Sequence, residues 1–182
     1  MSKKRKLYPM DYIKSTYDID FKKLYDEGYR AVLFDVDNTL VPHNAPADDR
    51  AIALFEELHQ IGFKSMLVSN NKEPRVASFK EKVIYCDYVF KAGKPSARGY
   101  QSAMQRLGTD ESNTLFVGDQ ILTDIWGANN AGIRSIMVMP VLKWHEEIQI
   151  ILKRVLEAII LIGYRVYRLY GKEVVKTPLK GE

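Results

Sequence analysis

The sequence predicts an α/β fold in which one parallel sheet is covered by helices on both faces. Three observations carry that expectation. Between residues 30 and 139, short apolar or β-branched runs alternate with segments of helical periodicity. The runs are nearly continuous in apolar character rather than alternating, as strands buried on both faces are. Polar residues follow each run at its C-terminal end, and right-handed crossovers bring those ends to one edge of a parallel sheet.

In chain order, residues 1–27 read as a basic N-terminal segment and residues 28–142 as the folded domain. Its expected strands are 31–34, 64–68, 87–90, 114–117 and 135–139. The expected helices are 48–61, 73–83, 96–107 and 123–131. In the first of these, Ala51, Ile52, Leu54, Phe55 and Leu58 line an apolar stripe about a hundred degrees wide, suited to one sheet face. Residues 143–182 form a basic C-terminal segment in which 144–170 read as one long amphipathic helix. Its stripe is Ile148, Ile151, Leu152, Val155, Ile159, Ile162, Val166 and Leu169. Glu146, Gln149, Lys153, Arg154, Glu157, Arg165 and Arg168 fall mainly on the other face. Gly163 weakens that helix by about 1 kcal/mol relative to Ala.

A chain of 182 residues suits one domain with a sizeable core. Cys86 is the single cysteine, which excludes an intramolecular disulfide and points to a reducing, cytoplasmic setting. Lys3, Lys4, Arg5 and Lys6 are not followed by an apolar run, so no signal peptide is expected. The longest uncharged stretch, residues 38–47 with His43 neutral, falls far short of the roughly 20 residues that span a bilayer. The net charge of +4 is uneven. The first ten residues carry four positive charges and no acid, and residues 143–182 carry eight basic against five acidic residues. The middle is therefore mildly acidic between two basic ends, which favour an anionic surface.

The polar residues at the strand ends form a coherent chemical set. Asp35 and Asp37 follow the first strand, Ser69 and Asn70 the second, Lys94 the third, and Asp119 and Asp124 the fourth. Carboxylates without a cluster of His or Cys favour Mg²⁺ over zinc or a redox metal. Ser69 and Asn70, at a strand-to-helix turn, offer side-chain donors and backbone N–H groups to an anion. Lys94 is a point charge able to neutralise a phosphate and a carboxylate. A carboxylate can attack phosphorus while a second carboxyl group moves the proton. Two acids side by side nonetheless repel, and something must hold both charges.

"DVDNTL" (35–40), "VSN" (68–70), "KAGKP" (91–95) and "GDQILTD" (118–124) resemble the four motifs of the haloacid dehalogenase-like (HAD) phosphatases, in the right order and each at an expected strand end. The resemblance covers roughly residues 28–142 and implies a Rossmann-like three-layer fold. It implies that Asp35 is the nucleophile and a Mg²⁺ ligand. Asp37 would be the general acid/base, with its backbone carbonyl on the metal. It further implies that Ser69 binds the phosphoryl group, Lys94 steadies the phosphorylated Asp35, Asp119 ligates Mg²⁺ and Asp124 holds the metal's water shell. An acid at 37 is similar to the phosphatase branch rather than the dehalogenase and ATPase branches.

The intervals from Asp37 to Ser69 and from Ser69 to Lys94 are too short for a separate cap domain. The site is expected to be open, as in the capless subclass, and open to a large or surface-bound substrate. A second copy of the chain is the competing cover, so a homo-oligomer is an expectation as well. The long helix either packs on its own domain or a second subunit, or lies in a membrane interface. In the second case Arg165 and Arg168 would sit near lipid phosphates, with Trp144, Tyr164, Tyr167 and Tyr170 at headgroup level. The short domain and its ends resemble the capless YqeG group, whose eukaryotic relatives act on phosphatidylglycerophosphate. That resemblance implies a lipid phosphomonoester substrate, no nucleic acid partner, and peripheral attachment to the inner face of the membrane. The alternatives are a soluble phosphatase of sugar, nucleotide or polynucleotide phosphates, and a non-enzymatic scaffold binding RNA or membrane.

Overall fold

Ala31, Val32, Leu33 and Phe34 have no solvent exposure, and they form a central strand, β2 (Ala31–Phe34). In the computed structural model, which describes residues 6–141, 148–170 and 176–181, β1 (Asp11–Ile13) and α1 (Phe21–Asp26) precede it. After it come α2 (Asp49–Ile61), β3 (Lys64–Val68), α3 (Glu73–Lys82), β4 (Asp87–Val89) and α4 (Arg98–Leu107). Then follow β5 (Thr114–Gly118), a π-helical turn (Ile121–Ile125), α5 (Trp126–Ala131), β6 (Arg134–Val138) and α6 (Ile148–Tyr170). Lys3, Lys4, Arg5, Trp144 and Glu146, and the side chains of residues 148–154, lie outside the described residues.

The sheet is parallel throughout, in the order β1-β6-β5-β2-β3-β4. Period-two alternation divides its side chains between two cores. Val32, Phe34, Leu67, Leu115 and Val117 meet Leu24 of α1, Phe55 and Leu58 of α2 and Phe79 of α3 on one face. Leu33, Met66, Val68 and Phe116 meet Tyr100 and Met104 of α4 and Ala128 and Ala131 of α5 on the other. The expected three-layer α/β architecture is what the chain adopts. Asp48 caps α2 by accepting from the Ala51 N–H at 2.9 Å. Between Asp37 and Ser69 the chain holds α2 and β3, and between Ser69 and Lys94 it holds α3 and β4.

Two features differ from the sequence expectation. The sheet has a sixth strand, because β1, within residues 1–27, pairs with β6 in register Asp11↔Ile136. Three residues are too few to show a period, and the pairing spans most of the chain. The helix expected over 123–131 is split between the π-helical turn and α5. The sense of α6 is a point that the sequence left open. Its domain-facing residues are Glu157, Tyr164 and Arg168, with Ile160 and Leu161 seated on buried Ile121, Ile125 and Met137. The stripe Val155, Ile159, Ile162, Val166 and Leu169 points away from the domain and is at least half exposed at every position. Gly163 lets the Tyr8 hydroxyl approach, since a Cβ there would lie 2.9 Å from it.

Asp11 fastens this side of the sheet. Its carboxylate, almost fully buried, accepts from Arg168 of α6 at 2.8 Å, from the Tyr12 N–H at 2.9 Å and from the Thr177 N–H of the C-terminal tail. Residues 176–181 then run beside α1, with the Asp20 N–H donating to the Pro178 carbonyl and an antiparallel bridge between Ile19 and Leu179. Asp11→Ala leaves Arg168 and Thr177 without their acceptor and should cost about 1–3 kcal/mol. Urea denaturation read by circular dichroism checks this, with Asp11→Asn expected to lose less.

Candidate active site

All the acids of the "DVDNTL" and "GDQILTD" stretches reach one edge of the sheet. β2 delivers Asp35, whose backbone N–H is still paired to the Val117 carbonyl of β5 at 3.0 Å. β5 ends at Gly118, delivering Asp119, and the π-helical turn folds Asp124 back beneath it. A Cβ at Gly118 would lie 2.7 Å from an Asp124 carboxylate oxygen, so the return needs a glycine there. Asp124 then accepts from the N–H groups of Asp119 at 3.2 Å and Gln120 at 3.0 Å. The π-helical turn gives Asp124 this position, and such turns recur at functional sites.

Lys94 stands between the two halves. Its ammonium donates to Asp35 Oδ1 at 2.6 Å and to Asp124 Oδ1 at 2.7 Å, and all three groups are buried. Burial disfavours the Lys94 charge, but Asp124 and Asp35 outweigh it and raise its pKa, so it stays an ammonium. Burial also pushes the Asp35 carboxyl up to about 7, against the opposing pull of Lys94. Tyr100 closes the floor, its hydroxyl donating to the carbonyls of Asp124 at 3.1 Å and Thr123 at 3.3 Å. Desolvation holds its pKa above the usual phenol range.

Asp35, Asp119 and Asp124 bring carboxylate oxygens within 4.8 Å of one another. Thr39 donates to Asp119 at 3.3 Å. Three converging buried carboxylates form a site that a hard divalent cation fits, and the donors are all oxygen, as Mg²⁺ requires.

Asp37 takes a separate course. Its carboxylate is turned to Arg75, which donates at 2.8 Å, to the Asn44 N–H at 2.7 Å and to the Asn71 side-chain amide. Arg75 reaches it from the first turn of α3 and also donates to the Ala45 carbonyl at 2.8 Å. The tight turn after Asp37 is made by Asn38 at a φ of 62°, the left-handed region that Asn tolerates better than most residues. The repulsion latent in the Asp35–Asp37 pair is thus answered by two cations, Lys94 for one and Arg75 for the other.

Ser69 sits at the end of β3, buried, with its hydroxyl oxygen accepting from the Asn71 N–H at 3.2 Å. Asn70 has a different engagement from the anion contact expected of it. Its side chain donates to the Lys94 carbonyl at 3.0 Å and accepts from the Lys94 N–H at 2.8 Å, clamping the lysine's backbone. The structure therefore brings Asp35, Lys94, Asp119 and Asp124 into direct company, with Asp37, Ser69 and Asn70 around them. Sequence reasoning misses Arg75, Asn71 and Tyr100. The signal for Arg75 was its type and place, a cation in the first helical turn after Ser69.

Comparison with known proteins agrees with this geometry. The model of the HAD-hydrolase-like family matches residues 91–140, which carry Lys94, Asp119 and Asp124. The protein named "Probable phosphatase YqeG" of Bacillus subtilis (strain 168) is 34% identical over 139 residues, 76% of this chain and 80% of that protein. Phosphatidylglycerophosphate phosphatase 1, chloroplastic, of Chlamydomonas reinhardtii is 26% identical over 148 residues, and the match spans 76% of this chain but 55% of that longer protein. Among solved structures, a haloacid dehalogenase-like hydrolase from Bacteroides fragilis superposes with a TM-score of 0.55 at 16% identity, covering 65% of this chain and 91% of that one. This last likeness speaks for the fold. With a third of the aligned residues identical to YqeG across most of both proteins, the chain belongs to the HAD-like hydrolases, among their phosphatases.

Proposed function

We propose that the chain removes the terminal phosphate of phosphatidylglycerophosphate in a Mg²⁺-dependent reaction at the inner, cytoplasmic face of the membrane. The observation that carries this reading is the 26% identity, along 76% of the chain, to a phosphatidylglycerophosphate phosphatase. Asp35, Asp119 and Asp124, with the Asp37 backbone carbonyl, hold the metal, which when bound supplies positive charge against the transferring phosphoryl oxygens.

The remaining chemistry belongs to the chain's own residues. An Asp35 carboxylate oxygen attacks phosphorus, and the bond from phosphorus to the glycerol oxygen breaks. Asp37 gives its proton to that leaving oxygen, having turned from Arg75 and Asn71 toward the substrate. Water then attacks the aspartyl-phosphate, Asp37 takes its proton, and inorganic phosphate leaves with the Asp35 carboxylate restored. Lys94 holds Asp35 in place through both steps, and the Ser69 hydroxyl binds a phosphoryl oxygen. Asn70 acts through Lys94 by fixing its backbone.

A phosphate-release panel tests the substrate. Phosphatidylglycerophosphate in vesicles or detergent is expected to be turned over with a higher kcat/KM than sugar or nucleotide phosphates, and a preference for a soluble ester by orders of magnitude overturns the lipid reading. Asp35→Asn should lower kcat on p-nitrophenyl phosphate on the order of 10⁴-fold or more, and EDTA should stop the parent enzyme until Mg²⁺ is restored. Arg75→Ala should lower kcat by about tenfold or more while the protein stays folded, because Asp37 loses the support that positions it.

The raised Asp35 pKa makes a prediction for the metal-free protein. The folded state holds a proton that the unfolded chain releases between its ordinary 3.8 and about 7. Stability from this group is present below that window and is lost as pH rises through it. Scanning calorimetry in EDTA should show the melting temperature falling across the window. Mg²⁺ should reverse the fall, and Asp35→Asn should lack this component.

A further inference from the structure

We infer that the outward face of α6 is a docking surface for an anionic lipid bilayer. The helix is mounted with its polar side inward. Glu157, buried, accepts from the Leu122 N–H at 3.1 Å, and Arg168 reaches Asp11 at 2.8 Å. Tyr164, also buried, packs against Tyr8 with ring centroids 5.7 Å apart. At 100° per residue these inward groups fall together, and the opposite side of the helix collects Val155, Ile159, Ile162, Val166, Leu169 and Tyr170. Their exposures run from 50% at Val166 to 84% at Tyr170. A soluble surface seldom leaves so long an unbroken apolar strip open to water, and such strips mark contact sites.

The charge around the strip selects the occupant. Arg165 stands exposed at its margin. Tyr8, which packs on Tyr164 and Tyr167, follows directly on the basic run Lys3 to Lys6. Beyond the helix the chain carries Lys172 and Lys176, while Lys180 is paired with Glu57 of α2 at 2.7 Å. An apolar strip edged by tyrosines, with Arg165 at its margin and in a chain whose two ends are basic, has the chemistry of an in-plane interfacial helix on anionic lipid. A second copy of this chain, with the same basic ends, supplies no anionic complement. No described helix is long and apolar enough to cross a membrane.

The helix also sets where the active site lies relative to the bilayer. Glu157 contacts the π-helical turn that holds Asp124, whereas Arg168 contacts Asp11 at the start of β1. α6 thus runs along the sheet from its catalytic edge to its opposite edge. A bilayer on the outward strip lies on the side of the domain where Glu157 supports the π-helical turn that carries Asp124. This inference rests on the lipid reading proposed above, but binding is measured without any phosphomonoester lipid and so stands or falls separately.

The full chain is mixed with vesicles of phosphatidylglycerol and phosphatidylcholine, or of phosphatidylcholine alone, and pelleted at low and high salt. Binding should need the anionic lipid and weaken with salt. Ile159→Asp combined with Ile162→Asp should lower the partition coefficient by about tenfold or more, with hydrolysis of p-nitrophenyl phosphate unchanged. In a second variant, Val166→Trp, the indole emission should move to the blue when vesicles are added. Failure of the parent chain to pellet, or unchanged pelleting of the double variant, overturns the inference. So does a dimer in sedimentation velocity that the double variant converts to monomer, which would assign the strip to a second copy.

Discussion

The Lys94 ammonium, buried and shared between Asp35 and Asp124, is the contact on which the catalytic edge depends. Neither carboxylate has enough water around it to carry its charge alone, and removing one member of a buried ion pair typically costs about 3–5 kcal/mol. Much of the surrounding structure serves this arrangement. Asn70 fixes the lysine's backbone from both sides, Tyr100 ties down the carbonyl of Asp124, and Gly118 leaves room for the Asp124 side chain. Asp119 brings a third carboxylate oxygen within 4.8 Å of those of Asp35 and Asp124. Three such oxygens converging on one point are what a divalent cation fits.

Asp35 and Asp37 are two residues apart and chemically identical, so their different assignments come entirely from their surroundings. Lys94 approaches Asp35 from the β4–α4 connection, and Arg75 approaches Asp37 from α3. The two acids therefore leave the strand end toward different partners. In the proposed reaction that separation is useful: the nucleophile stays in the charge cluster with Lys94 and Asp124, while the acid/base has a separate set of neighbours it can leave.

How much of this was legible depended on the range of the interaction. Four of the five expected strands are buried along most of their length, β4 at the sheet edge being the exception, and the acids follow them in the chain, so the strands and the convergence of the acids were readable together. β1 was not, since its evidence is a pairing with β6 rather than anything within Asp11–Ile13. Arg75 was missed for the same reason. A lone arginine on a helix looks like any solvated cation until the turn after Ser69 points it at Asp37. The partners of Asn70 were equally hidden, because an amide beside a phosphate-loop serine is read as an anion donor until the fold brings a backbone edge within its reach.

The sense of α6 shows why amphipathicity alone could not orient that helix. A hydrophobic stripe says that two sides differ, and the usual assumption that the apolar side faces the protein rests on the core being the only apolar partner at hand. Here the domain offers something else. The start of the π-helical turn presents an N–H group at Leu122 that lacks a partner within its own helix, and a buried N–H needs an acceptor. Glu157 supplies one, and burying its charge is tolerable because of the hydrogen bonding that it makes there. Asp11, buried beside β6, draws Arg168 inward in the same way. Polar groups left over from the sheet's edge thus select the polar face of α6. The apolar face is turned outward as a consequence, on the same helix that supports the catalytic turn.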